Sequence, residues 1–199
     1  MEFTLIIYQG MMKMKFKNGF SLIELVVVLA IISIATSFAM PSLHSMVEKN
    51  QSANAINKIR TAISLTRISA IKSASIATLC PTDNNINCGK DWSKGMMVFV
   101  DYNGDKLINN NDELIRVFDK FSHASAITWK AFQNKPYLQY VATGFSNNQN
   151  GTFTYCSRTK NLEFSEMLII NRAGRARLAT DSNGDGVVEG ASKKTPKCS

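Results

Sequence analysis

Histidine is nearly absent from these 199 residues: there are two, His44 and His123, far apart in the chain. Neither stands near an obvious nucleophile, so a Ser-His-Asp or Cys-His arrangement has no foundation. They read as a helix residue and an ordinary surface or loop residue. No glycine-rich phosphate loop follows a strand pattern. No cysteine pair has CxxC or zinc-knuckle spacing, which leaves the usual redox and structural-zinc readings weak. Internal repeats and low-complexity linkers are also missing. These absences predict a non-enzyme with no cofactor. Two more are local. Ser42 to Leu79 contains neither glycine nor proline, so nothing there stops a helix. Asn171 to Thr180 contains no acid, although it carries Arg172, Arg175 and Arg177.

What is present fits a folded domain with an extension. The chain is 45% hydrophobic and 19% charged, outside the range of disorder by charge and hydropathy. Net charge is +8 and the pI about 9.4, which permits an anionic partner, nucleic acid or lipid, and serves solubility equally well. Phe20 to Met40 reads FSLIELVVVLAIISIATSFAM. As a helix, this run is about 30 Å long, the thickness of a bilayer's hydrocarbon core. Lys13, Lys15 and Lys17 precede it, which predicts a cytoplasmic N-terminus and an exported remainder. A cleaved secretory signal is the alternative, but its apolar region is shorter. Glu24 is out of place. A carboxylate in lipid costs a few kcal/mol and needs a positive partner, which its own apolar helix does not supply.

KNGFSLIELVVVLAII resembles the class III signal of type IV pilins and pseudopilins. The resemblance implies cleavage by a prepilin peptidase after Gly19 and N-methylation of the new terminus, Phe20. It implies pairing of Glu24 with the terminal amine of a neighbouring subunit during filament assembly. Other pilins and, before assembly, inner-membrane lipid are the implied partners. The implied location is the inner membrane, with a single pass and a periplasmic C-terminal domain, and then the pilus. The leader is longer than is usual in the family, so Met12 or Met14 is the alternative start.

Past the membrane run, Pro41 is expected to bend or locally melt the helix. Ile56, Ile59, Ile63, Ala70 and Ala74 then form one apolar stripe at helical spacing, with Leu65 and Ile68 off it. Near Ser75 the pattern becomes β-like and closes at Cys80-Pro81. Strands are predicted over 95–101, 113–119, 126–129, 138–142, 151–157 and 166–171, all rich in β-branched and aromatic residues. The expected fold is α+β: a long N-terminal helix, membrane-spanning in its first half, packed on a C-terminal antiparallel β-sheet domain. The expected segments are a leader (1–19), a membrane and filament-core helix (20–40), an amphipathic extension (41–75) and a β-rich periplasmic domain (76–199). ATLCPTDNNINC, KGMMVFVDYNGDKLINNNDELIRV and GTFTYCSR with a following glycine-arginine hairpin resemble the FimT/GspH branch. They do not separate a pilus component from a type II secretion pseudopilin.

In an oxidising compartment, Cys80, Cys88, Cys156 and Cys198 allow three pairings. Cys80–Cys88 and Cys156–Cys198 are favoured: the first closes a short loop, and the second ties the tail to the sheet and brackets the arginines. Two acidic loops partly match EF-hand-type calcium loops. In DYNGDKLINNND, Asp101, Asn103, Asp105 and Asp112 fit, but Lys106 replaces glycine at position 6 and Asp112 replaces the bidentate glutamate. In DSNGDGVVEGAS, Asp181, Asn183, Asp185 and Gly186 fit, but position 12 is Ser192. Asp, Asn and Gly also favour turns without metal, and the expectation is no resident metal.

IINRAGRARLAT reads as a hairpin. Residues 166–171 rise, Asn171 to Gly174 turn, and 175–180 descend, with Gly174 supplying positive φ. Strand alternation puts Arg175 and Arg177 on one side, and Arg172 projects from the turn. The cysteine pairing would bring Lys193, Lys194 and Lys197 nearby. A solvated, aggregation-resistant edge is the bland alternative. Gly174-Arg175-Ala176-Arg177 resembles the GRxR motif of FimT-type minor pilins linked to natural transformation. That resemblance implies DNA contact by Arg175 and Arg177; Arg172 is added on physical grounds. Structural minor pilin or secretion pseudopilin is the competing function.

Overall fold

Ser21 starts a long helix, α1 (Leu22–Ser73), its Oγ accepting the Glu24 N–H at 3.2 Å. The structure, a computed structural model, describes residues 19–121 and 124–198, so Lys13, Lys15, Lys17 and His123 lie outside it. The chain divides into two units, one through Leu43 and one from His44. In the first unit, apolar side chains from Phe20 to Met40 are exposed, and α1 holds an 18-residue stretch of mean hydropathy 2.5, long and apolar enough to cross a membrane. The helix assignment runs without interruption through Pro41, so the chain does not melt locally there. Proline removes one N–H from the ladder, and the hydrogen bonds on either side keep the helix continuous.

In the second unit, α1 ends on Ala74, whose φ of 49° is left-handed. The Ser75 N–H reaches the Ala70 carbonyl at 3.2 Å, closing the last turn. Ala74, placed on the helical stripe by periodicity, is therefore the terminating residue and is exposed. The rest of the stripe packs as expected: Ile56, Ile59, Ile63 and Ala70 are buried, joined by Ala55 and Ala62, while Ile68 is 60% exposed.

Among the described residues eight strands follow: β1 (Ile76–Pro81), β2 (Met96–Asp101), β3 (Glu113–Phe118), β4 (Ala124–Ala131), β5 (Leu138–Tyr140), β6 (Gly151–Ser157), β7 (Glu166–Ile170) and β8 (Ala176–Leu178). They form two four-stranded antiparallel sheets, ordered β3-β2-β1-β5 and β4-β6-β7-β8. Leu79, Met96, Val98, Leu138 and Tyr140 from the first sheet share one core with Ile127, Phe153, Tyr155, Leu168 and Ile170 from the second and with the helical stripe. Trp129 stacks on Phe153 at 4.3 Å between ring centres, and Trp92 meets the same ring edge-on at 4.8 Å. Disulfides join Cys80 to Cys88 and Cys156 to Cys198, with Cα atoms 5.5 and 5.6 Å apart. The second draws the tail onto the outer face of the second sheet.

Candidate nucleic-acid interface

The arginine turn is built from its main chain outward. The Gly174 N–H donates to the Asn171 carbonyl at 2.9 Å, and Asn171 Oδ1 accepts the Arg175 N–H at 3.0 Å. Beneath it lies the loop after β5. Tyr140 donates its hydroxyl to the Gly174 carbonyl at 3.0 Å, and Ser146 Oγ donates to the Arg172 carbonyl at 3.1 Å. Burial pushes the Tyr140 pKa up to about 12, so the hydroxyl stays a donor. That loop is held in turn by α1, where Arg67 Nε donates to the Gly144 carbonyl at 2.9 Å. Gly174 has φ of 76°, and a Cβ there would come within 2.6 Å of the Tyr140 ring and clash with the Gly144 carbonyl. Gly174 is buried, so its part is to shape the turn, with its own N–H and carbonyl both occupied.

On this platform Arg172, Arg175 and Arg177 are exposed. Ala176 packs against the shared core, so alternation turns Arg175 and Arg177 to the opposite, outer face of the sheet. Among the described residues no carboxylate lies within 4.0 Å of any of the three guanidinium groups; the ion pair found there is Lys94–Asp83, elsewhere on the surface.

Strand register extends this face. Arg177 pairs with Ile169, Ile169 with Thr152, and Thr152 with Lys130, one row across β8, β7, β6 and β4. Three strand spacings separate its ends, about 14 Å. Lys130, Lys194 and Lys197 line a groove of about 260 Å³ with Thr128, Thr152 and Thr154. Lys193 is exposed at positive φ in the preceding turn and is not part of the groove lining. Lys130 had no signal in the sequence, because only register brings β4 into this row. Phe145, 53% exposed beside Ser146, is a further aromatic next to the turn's support.

The first acidic loop is internally satisfied in part. Asp101 is fully buried, and its Oδ2 accepts from Thr78 Oγ1 at 3.1 Å and the Lys106 N–H at 3.0 Å. Asp112 accepts the N–H groups of Tyr102 and Asn109 at 3.0 and 2.9 Å. Lys106, at the glycine position, has φ of 66°.

The model of the Type II transport protein GspH family matches residues 55–174, more than half of the chain. The chain belongs to the GspH family. The prokaryotic N-terminal methylation motif matches residues 14–40. Among solved structures, the type IV minor pilin FimU of Pseudomonas aeruginosa (strain PAO1) is similar in fold: TM-score 0.52 at 20% identity, covering 67% of this chain and 91% of that one. A second crystal form of FimU gives a TM-score of 0.49 at 19% identity, covering 64% and 92%. No curated protein matches the chain. Family and motif make this GspH-family chain a pilin or pseudopilin, anchored in the inner membrane by its apolar helix, with its C-terminal domain outside the membrane. Membership carries association with other pilins and processing by a prepilin peptidase, in a family of structural subunits rather than enzymes. The family match ends at Gly174, so Arg175, Arg177 and the tail lysines lie beyond it.

Proposed function

We propose that this minor pilin binds DNA for uptake in natural transformation, holding the phosphate backbone with little sequence preference. One observation carries the reading: three exposed arginines, on a turn braced from β5 and α1, with no carboxylate in range among the described residues. Guanidinium forks suit bidentate phosphate contact, and contacts to phosphate carry little sequence information. Arg175 and Arg177 provide the main contacts and Arg172 a flanking one. Lys130, Lys194 and Lys197 continue the track across the sheet, and Lys193 adds charge at its margin. Assembly follows cleavage after Gly19 and methylation of Phe20, with Glu24 pairing to a neighbour's terminal amine. Repeated copies along a filament would raise weak binding through avidity.

The test is a gel shift of the full chain in detergent micelles, at two salt concentrations. Arg175→Gln with Arg177→Gln should weaken binding and flatten the salt slope by about one unit per lost contact. Lys130→Gln should do the same to a smaller extent. Undiminished binding by the double variant would refute the reading. The type II transport description of the matched family favours a second reading, a structural subunit or secretion pseudopilin that starts or caps a filament. On that reading the wild-type chain shifts no DNA, while its deletion still impairs filament assembly.

A further inference from the structure

Beyond the DNA reading, and independent of it, we propose that the loop from Asp181 to Glu189 binds one calcium ion. Among the described residues, one trio of acidic side chains brings its oxygens within 4.8 Å of one another: Asp181, Asp185 and Glu189. The convergence is not a surface accident, because Glu189 is only 7% exposed. Its Oε2 accepts from the Ser182 N–H and hydroxyl, both at 2.7 Å. Its Oε1 is buried with no hydrogen-bond partner among the described residues, and no lysine or arginine there lies within ion-pair range. A buried carboxylate turned on two others, with one oxygen bare, is stabilised by a cation that offsets desolvation and repulsion.

The backbone already has the shape of a cation loop. Asp181 Oδ1 accepts the Gly184 N–H at 2.7 Å and Oδ2 the Gly186 N–H at 2.8 Å. Asn183 Oδ1 accepts the Asp185 N–H at 3.0 Å, and Asp185 Oδ1 the Val187 N–H at 2.8 Å. Gly186, at φ of 84°, supplies the sharp turn required at position 6. Asp181, Asn183 and Asp185 occupy positions 1, 3 and 5, and Val187 offers a main-chain carbonyl at position 7. Position 12 of the loop, where an EF-hand carries its acid, is Ser192. The fold provides it at position 9 instead, because the Glu189 N–H bonds to the Thr180 carbonyl at 3.2 Å and folds the loop back on itself. All donors are hard oxygens, which suits calcium rather than a softer metal. The first acidic loop lacks this convergence, although Asp101 Oδ1 is also buried and bare.

The experiment is thermal unfolding and calorimetric titration of the full chain in detergent micelles, first stripped with chelator. One calcium per chain is expected, with Kd on the order of 0.1–1 mM, the range of extracellular modules. About 10 mM calcium should raise Tm by roughly 3–10 °C. Asp185→Asn and Glu189→Gln should each abolish the titration, whereas Asp105→Asn in the first loop keeps it. In chelator, Glu189→Gln should melt no lower than the wild type, because it removes an uncompensated buried charge. Absence of binding at this concentration overturns the proposal. So does binding that survives both Asp185→Asn and Glu189→Gln, or binding lost in Asp105→Asn alone. DNA retention by the calcium-blind variants leaves the DNA reading standing, so the two fail separately.

Discussion

Glu166 begins β7 partly buried, and burial pushes its carboxyl above the ordinary value of 4.5. Folding therefore favours its protonated form. That contribution is complete below the ordinary value and is lost as pH rises through the folded one. Glu166→Gln should thus leave Tm unchanged near pH 4 and raise it at pH 7. Melting curves at the two pH values check this; equal effects at both would remove the cause. At the same scale, the arginines could be read directly, because three cations without a nearby acid are conspicuous in a turn. Lys130 and Glu189 could not. Lys130 joins the face only through the pairing of β4 with β6, and Glu189 matters through a burial that the sequence does not display.

The helix end shows what local pattern misses. Alanine favours helices, so Ala74 extends the stripe on paper, yet the chain needs a left-handed residue there to turn into β1. Ala74→Gly should stabilise the protein by about 1 kcal/mol, read as a higher midpoint in chemical denaturation. A loss of stability would mean that glycine's larger unfolded-state entropy outweighs the relieved strain. The strands were legible because β-branched and aromatic residues concentrate in them. Their division into two sheets was not, since it depends on which edges pair across long sequence separations, as when β5 adds to β1. The N-terminal run was legible for a simpler reason: a bilayer-length apolar segment has few alternatives.

For the whole molecule, the Cys156–Cys198 bond spans 42 residues that include β7, the arginine turn, β8 and the calcium-type loop. Removing it by Cys156→Ser with Cys198→Ser should cost about 4 kcal/mol, measured by non-reducing denaturation. Cys80–Cys88 closes only 8 residues and should matter less. The larger bond also changes how the domain would carry tension. A pull applied at Arg175 and Arg177 enters the sheet through both β7 and β8. On one side the chain runs back to β6 directly, and on the other it returns to β6 through the tail and the disulfide. The turn therefore sits on a closed ring rather than near a free end. Peeling β8 away cannot unthread the C-terminus, and the extension available is limited by the ring's own contour until the sulfur bridge is reduced.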